Sequence, residues 1–140
     1  YKTAFRLLNT YQDAPEFDAI AAYCLGYMYN MGYGVKKNDI EAVKWYRKAA
    51  DQGNAAAQSN LGVMYANGRG IKQSYEEAVK WYRKAADQGN ASAQNNLGVR
   101  YENGQGVEKN ITEAVMLYRL AAKQGQQNAK DSLKRLGYSE

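Results

Sequence analysis

Residues 61–91 read LGVMYANGRGIKQSYEEAVKWYRKAADQGNA. Residues 25–55 read LGYMYNMGYGVKKNDIEAVKWYRKAADQGNA, and residues 97–127 read LGVRYENGQGVEKNITEAVMLYRLAAKQGQQ. The blocks stand 36 residues apart without a gap, and they agree at 22 of 31 positions (first and second) and 16 of 31 (second and third). Agreement of that depth at a fixed period marks a repeat array, which decides the fold class before any single residue is weighed.

Each unit reads as two helices. In the middle one, Ala57, Leu61 and Tyr65 recur at helical spacing, and Asn67-Gly68 with Gly70 stops the run by offering positions for φ above zero. A second helix starts at Ser74, which with Glu77 forms a capping box; Asn38 with Glu41 and Asn110 with Glu113 repeat it. Ala78, Trp81, Tyr82, Ala85 and Ala86 form its apolar stripe, and Gly89 ends it. Two such helices cannot bury their apolar faces alone. Stacked every 36 residues, these antiparallel pairs make an all-α, right-handed α-solenoid with a continuous core.

The phase continues past both ends. Ala129 and Leu133 stand 36 residues after Ala93 and Leu97, so a further first helix closes the array. Upstream, TAFRLLNT at 3–10 resembles EAVKWYRK at 41–48 with a spacing two residues longer. The expected organisation is a partial repeat, a second helix, over 1–17; repeats over 18–53, 54–89 and 90–125; and a terminal helix or cap over 126–140. That reading makes the chain a fragment of a longer array, the alternative being a natural end capped in some other way. A monomer is expected, with artificial dimerisation through an open amino-terminal face as the other outcome.

The chain resembles the Sel1-like repeat family, relatives of the tetratricopeptide repeats with a longer turn inside the helix pair. Ala57, Leu61, Gly62, Tyr65, Gly68, Gly70, Ala78, Trp81, Tyr82, Ala85, Ala86, Gln88 and Gly89 fill the family pattern, and the third unit departs from it at Leu117. The resemblance implies a bacterial, non-enzymatic scaffold or adaptor for protein partners. It also favours an exported protein, periplasmic or secreted, over a cytoplasmic one. A neutralising, immunity-type partner of a specific enzyme or toxin, or a secreted host-interaction factor, is the alternative. One subgroup ties its helix pairs with disulfides; Cys24 is the only cysteine, so the chain lies outside that subgroup.

If first helices line a concave groove as in the tetratricopeptide fold, the positions beside the buried Leu-Gly-Tyr set point into it. In the first unit these are Ile20, Tyr23, Tyr27, Asn30 and Met31. The second contributes Ser59, Asn60, Val63 and Asn67, and the third Asn95, Asn96, Val99, Arg100 and Asn103; the terminal helix adds Asn128, Asp131 and Arg135. Asn60 with Asn96, and Asn67 with Asn103, could bracket an extended peptide backbone, since an amide offers both a donor and an acceptor. Tyr23 and Tyr27 would anchor one end. The plainer alternatives are that Asn67 and Asn103, each before Gly, only end a helix, that Asn60 and Asn96 are solvated filler, and that Tyr27 packs on the neighbouring unit.

Composition excludes much else. There is no His, hence no imidazole base and no His-bearing metal site, and one Cys cannot build a multi-thiolate site or a disulfide framework. No catalytic, metal or cofactor-binding residues are expected, and no cofactor. No run reaches the ~18 apolar residues of a membrane span, so no membrane insertion is expected. The formal +5 collects on the second helices, as Lys44, Arg47 and Lys48 and again as Lys80, Arg83 and Lys84. Acids interleave it: Asp51 follows Arg47 by four residues, Asp87 follows Arg83, and Glu76 precedes Lys80. A solvated outer face of weak ion pairs is therefore expected rather than a nucleic-acid surface. The Gly-x-Gly turns at Gly32, Gly68 and Gly104 follow no strand and lack a Lys-Ser/Thr, so they read as helix connections. Of 13 Tyr, six are core positions (Tyr29, Tyr46, Tyr65, Tyr82, Tyr101 and Tyr118), which leaves Tyr23 and Tyr27 as the pair of interest.

Overall fold

The computed structural model describes residues 1–13 and 18–140, so the boundary expected between 17 and 18 lies partly outside the described residues. Among the described residues there are eight helices and no strand: α1 Lys2–Thr10, α2 Ala19–Met31, α3 Asp39–Asp51, α4 Ala55–Asn67, α5 Tyr75–Asp87, α6 Ala91–Asn103, α7 Ile111–Lys123 and α8 Gln127–Leu136. They stack as a right-handed α-solenoid with a 36-residue period. First helices (α2, α4, α6, α8) alternate with second helices (α3, α5, α7), and no helix is long and apolar enough to cross a membrane among the described residues.

Two connections alternate. The short one, Gln52-Gly53-Asn54, ends α3, and the Asn54 side chain then accepts the Ala57 N–H to start α4. Asn90 and Gln126 do the same for α6 and α8. Sequence reading saw the stopping glycine and missed that the next residue is a cap. In the long connection Gly68 takes a left-handed conformation (φ 63°) and Ser74 accepts the Glu77 N–H. The other arm of the expected capping box is not made. The backbone N–H groups of Asn38, Ser74 and Asn110 donate instead to the carbonyls of Tyr29, Tyr65 and Tyr101, each at 2.9 Å. The long turn is thereby tied back onto the helix it leaves, which satisfies an otherwise orphaned group.

Burial follows the repeat. Leu25, Leu61, Leu97 and Leu133, with Ala57, Ala93 and Ala129, are closed to solvent on the first helices; Tyr46, Tyr82 and Tyr118 are on the second. Gly26, Gly62 and Gly98 let α2, α4 and α6 lie directly on those tyrosine rings. Gly70 abuts the Asp39 carbonyl at the start of the preceding second helix, and Gly106 abuts Tyr75. Gly34 abuts the Tyr1 carbonyl, so the start of α1 stands to α2 as α3 stands to α4.

Polar side chains join neighbouring helices at two further heights. Buried Gln58 donates to the Ala50 carbonyl at 3.1 Å and accepts from Gln88 at 2.8 Å, linking α3, α4 and the end of α5. Gln94, Ala86 and Gln124 repeat the link one unit on. Arg47 donates to the Tyr65 hydroxyl and Arg83 to that of Tyr101, each reaching into the next unit. This corrects the expected surface pairing. Among the described residues no ion pair joins Arg47 to Asp51 or Arg83 to Asp87, and Lys80 pairs with Glu77 rather than Glu76. A phenol fixed by the neighbouring helix is a better partner than a solvated carboxylate on a free rotamer.

Candidate functional site: the face of the first helices

Positions that share a phase on the first helices form rows along the array. One row runs Tyr27, Val63, Val99, Arg135, another Cys24, Asn60, Asn96, Ser132, and a third Asn30, Ala66, Glu102. At the α2 end the surface is apolar and aromatic, with Ile20, Tyr27 and Met31 exposed by 65%, 40% and 47%. The Tyr23 ring lies 6.2 Å from that of Tyr27 and 5.9 Å from that of Tyr46, so Tyr23 is partly buried and leans on the core. Tyr27 in turn meets Tyr33 at 5.9 Å, and Tyr33 stacks on Tyr1 at 4.6 Å.

A cavity of about 190 Å³ opens between α2 and α4. It brings together five of the expected residues, Tyr27, Asn30, Met31, Asn60 and Val63, and adds Tyr46, Met64 and Arg69. Asn67 and Asn103 lie elsewhere, exposed as the last residues of α4 and α6. Asn96 and Val99 are partly buried on α6. Arg100, at the position of buried Met64, lays its guanidinium 4.9 Å from the Tyr75 ring centre while its Nε is buried without a partner. Two further expectations fail. Ser59 and Asn95 are buried, at 4% and 6% exposure, because their phase (that of Tyr23) turns toward the second helix and away from the open face. Asp131 accepts from Gln127 on its own helix, and Asn128 is exposed.

Sequence reasoning missed Arg69 and Glu102. Arg69 sits in a turn, where helical phase gives no direction. Glu102 was findable, since it shares a row with Asn30. Its carboxylate accepts from both Nη atoms of Arg135 at 2.8 and 2.9 Å and from the Tyr118 hydroxyl at 2.8 Å. The Arg135 bonds hold it below the ordinary carboxylate range, against the opposing effect of burial. Among the described residues no group of His, Cys, Asp and Glu is placed to hold a metal.

Burial pushes the Tyr82 hydroxyl up to about 12, with Arg100 nearby pulling it down. Burial likewise raises Tyr46, opposed by the Asn60 amide, and raises Tyr118, where Glu102 adds to the rise. These phenols ionise near 10.0 when unfolded, so their contribution to stability is complete below that pH and is lost as pH rises through the folded values. Urea midpoints are therefore expected to hold steady from neutral pH to about 10 and to fall steeply above it. A midpoint still level at about pH 11 would place these rings in solvent.

A family model described as Sel1 repeat matches residues 19–54, 55–90 and 91–126. Among solved structures, the chain is similar to a protective antigen present in uropathogenic Escherichia coli strains and displaying an SLR fold, with TM-score 0.84 and 42% identity, covering 92% of this chain and 27% of that one. A Sel1 repeat protein from Oxalobacter formigenes superposes with TM-score 0.81 and 44% identity over 89% of this chain and 52% of that one. The chain thus spans about a quarter and about half of these two relatives. Helicobacter pylori cysteine rich protein B shares the fold, with TM-score 0.71 at 23% identity, over 92% of this chain and 96% of that one.

Proposed function

The chain belongs to the Sel1 repeat family, whose members are generally protein-interaction scaffolds, and from that premise we propose that it holds a partner protein, or an extended segment of one, against the face of its first helices without chemistry of its own. The observation that carries this reading is the exposed stripe of Ile20, Tyr27 and Met31 on α2; at the phase of Tyr27 the partly buried Val63 and Val99 extend the apolar row onto α4 and α6. Large apolar side chains exposed in register along one face mark an interaction surface far more often than scattered ones do. Chemistry is disfavoured by the acids present. Glu102 is held as an anion by Arg135, the opposite of what a general acid needs. A few backbone-type hydrogen bonds at roughly 0.5–1.5 kcal/mol each, with Tyr27 as the anchor, give micromolar peptide affinity at best, so a tight partner needs a larger footprint.

Photo-crosslinking tests the reading. A benzophenone side chain at Val63 or Val99 is expected to capture the partner in the native host, and the same group at Lys80, on α5, to capture little. Capture from Lys80 alone would move the interface to the second helices and end the proposal.

A further inference from the structure

The α6–α8 end of the array holds a carboxylate in a cradle that recurs, without one, at the α2–α4 end. Glu102, Tyr118, Ser132 and Arg135 stand 72 residues after Asn30, Tyr46, Asn60 and Val63, two repeats apart. At the later junction the Glu102 side chain, 15% exposed, is gripped by the Tyr118 hydroxyl and the Arg135 fork. At the earlier junction the phenol of Tyr46 is kept and an amide, Asn60, faces it, but the position of the glutamate is the uncharged Asn30. The cation comes from another place: Arg69 lines the same cavity, with Nε at a loose 3.6 Å from Asp39. Among the described residues no carboxylate lines this cavity, and its remaining walls are Tyr27, Met31, Val63 and Met64. It thus combines a guanidinium, two amides and a phenol with apolar walls, the complement of an anion on an aliphatic stem.

We propose that the cavity between α2 and α4 takes a glutamate side chain of an extended partner segment, with a neighbouring apolar side chain of that segment resting on Tyr27 and Met31. This rests on the groove reading above and names the chemistry that the groove selects. Glu102 is the internal precedent: it delivers its carboxylate to the equivalent position from a backbone lying alongside, on two methylenes.

The test is panning of a displayed random-peptide library, fused so that no peptide carboxy terminus is free, against the folded protein. Enriched peptides are expected to carry Glu beside an apolar residue. A synthetic peptide of the enriched sequence should bind at least about tenfold more tightly than its Glu-to-Gln version, the ratio expected of one charge-assisted hydrogen bond. Arg69→Gln should abolish that difference. So should Asn30→Glu, which copies Glu102 and fills the cavity from within. An acid preference that survives both substitutions, or enriched peptides lost on Tyr27→Ser but showing no acid preference, overturns the inference and leaves the groove reading standing. Tighter binding of peptides with a free carboxy terminus and no Glu overturns the side-chain assignment. Failure to enrich any peptide over a Tyr27→Ser, Met31→Ser surface removes the groove reading, and this inference with it.

Discussion

Trp81→Ala is expected to lower stability by about 3–5 kcal/mol, the usual result of emptying a large buried aromatic site. Trp81 is 7% exposed between the buried alanines Ala78 and Ala85 of α5, and the Lys84 ammonium lies 4.5 Å from its ring centre. For a domain of this length the melting temperature should fall by roughly 10 °C, read by helical circular dichroism. The indole N–H is buried without an acceptor, so the ring and not a hydrogen bond supplies the stabilisation. Trp81→Phe should therefore recover most of the loss. Trp81→Leu should fall between, because the third repeat already carries Leu117 at this position with 9% exposure. A Trp81→Ala protein that melts with the parent would mean that the second-helix aromatics are not the repeat core.

Gly62→Ala is expected to destabilise by about 1–3 kcal/mol, although the same change at an open helical site would gain about 1 kcal/mol from propensity. A Cβ at Gly62 would lie 2.6 Å from Cδ1 and Cε1 of Tyr82. That ring is itself 3% exposed and has nowhere to retreat. The sign is the informative quantity. In a Tyr82→Leu background, where Cε1 and Cζ are gone, Gly62→Ala should become neutral or stabilising, and urea unfolding of the four proteins gives the coupling directly. Additive effects would show that α4 does not rest on Tyr82. The same contact recurs at 2.8 Å for Gly26 on Tyr46 and at 2.7 Å for Gly98 on Tyr118, so alanine is expected to destabilise at these positions as well.

The elements were legible because their signals are local and written three times. Leu61, Tyr65 and Ala57 set a helical face, Gly68 ends it, and Ser74 caps the next helix, whatever surrounds them. Less was legible where a residue chooses among partners. Arg47 has Asp51 within reach along its own helix but bonds Tyr65 of the next unit. Asn95 stands at a phase that spacing places at the groove, yet that phase turns toward the second helix and is buried. Arg69 carries no periodicity because it stands in a turn, and only the folded chain puts it beside Asn60.

The 36-residue period, the stopping glycines, the caps of the second helices and the tyrosine, leucine and glycine rows of the core were all set by the sequence. Each of these follows from steric and hydrogen-bonding rules that act within a few residues, and repetition averages out the exceptions. The tertiary structure alone decided which of the equivalent positions are already satisfied. Asn30 and Glu102 share a phase, but the carboxylate of one is held by Arg135 from a helix that follows it, and the other lies in a cavity with Arg69 at its edge. That difference depends on side chains from three helices and so cannot be read from any one of them.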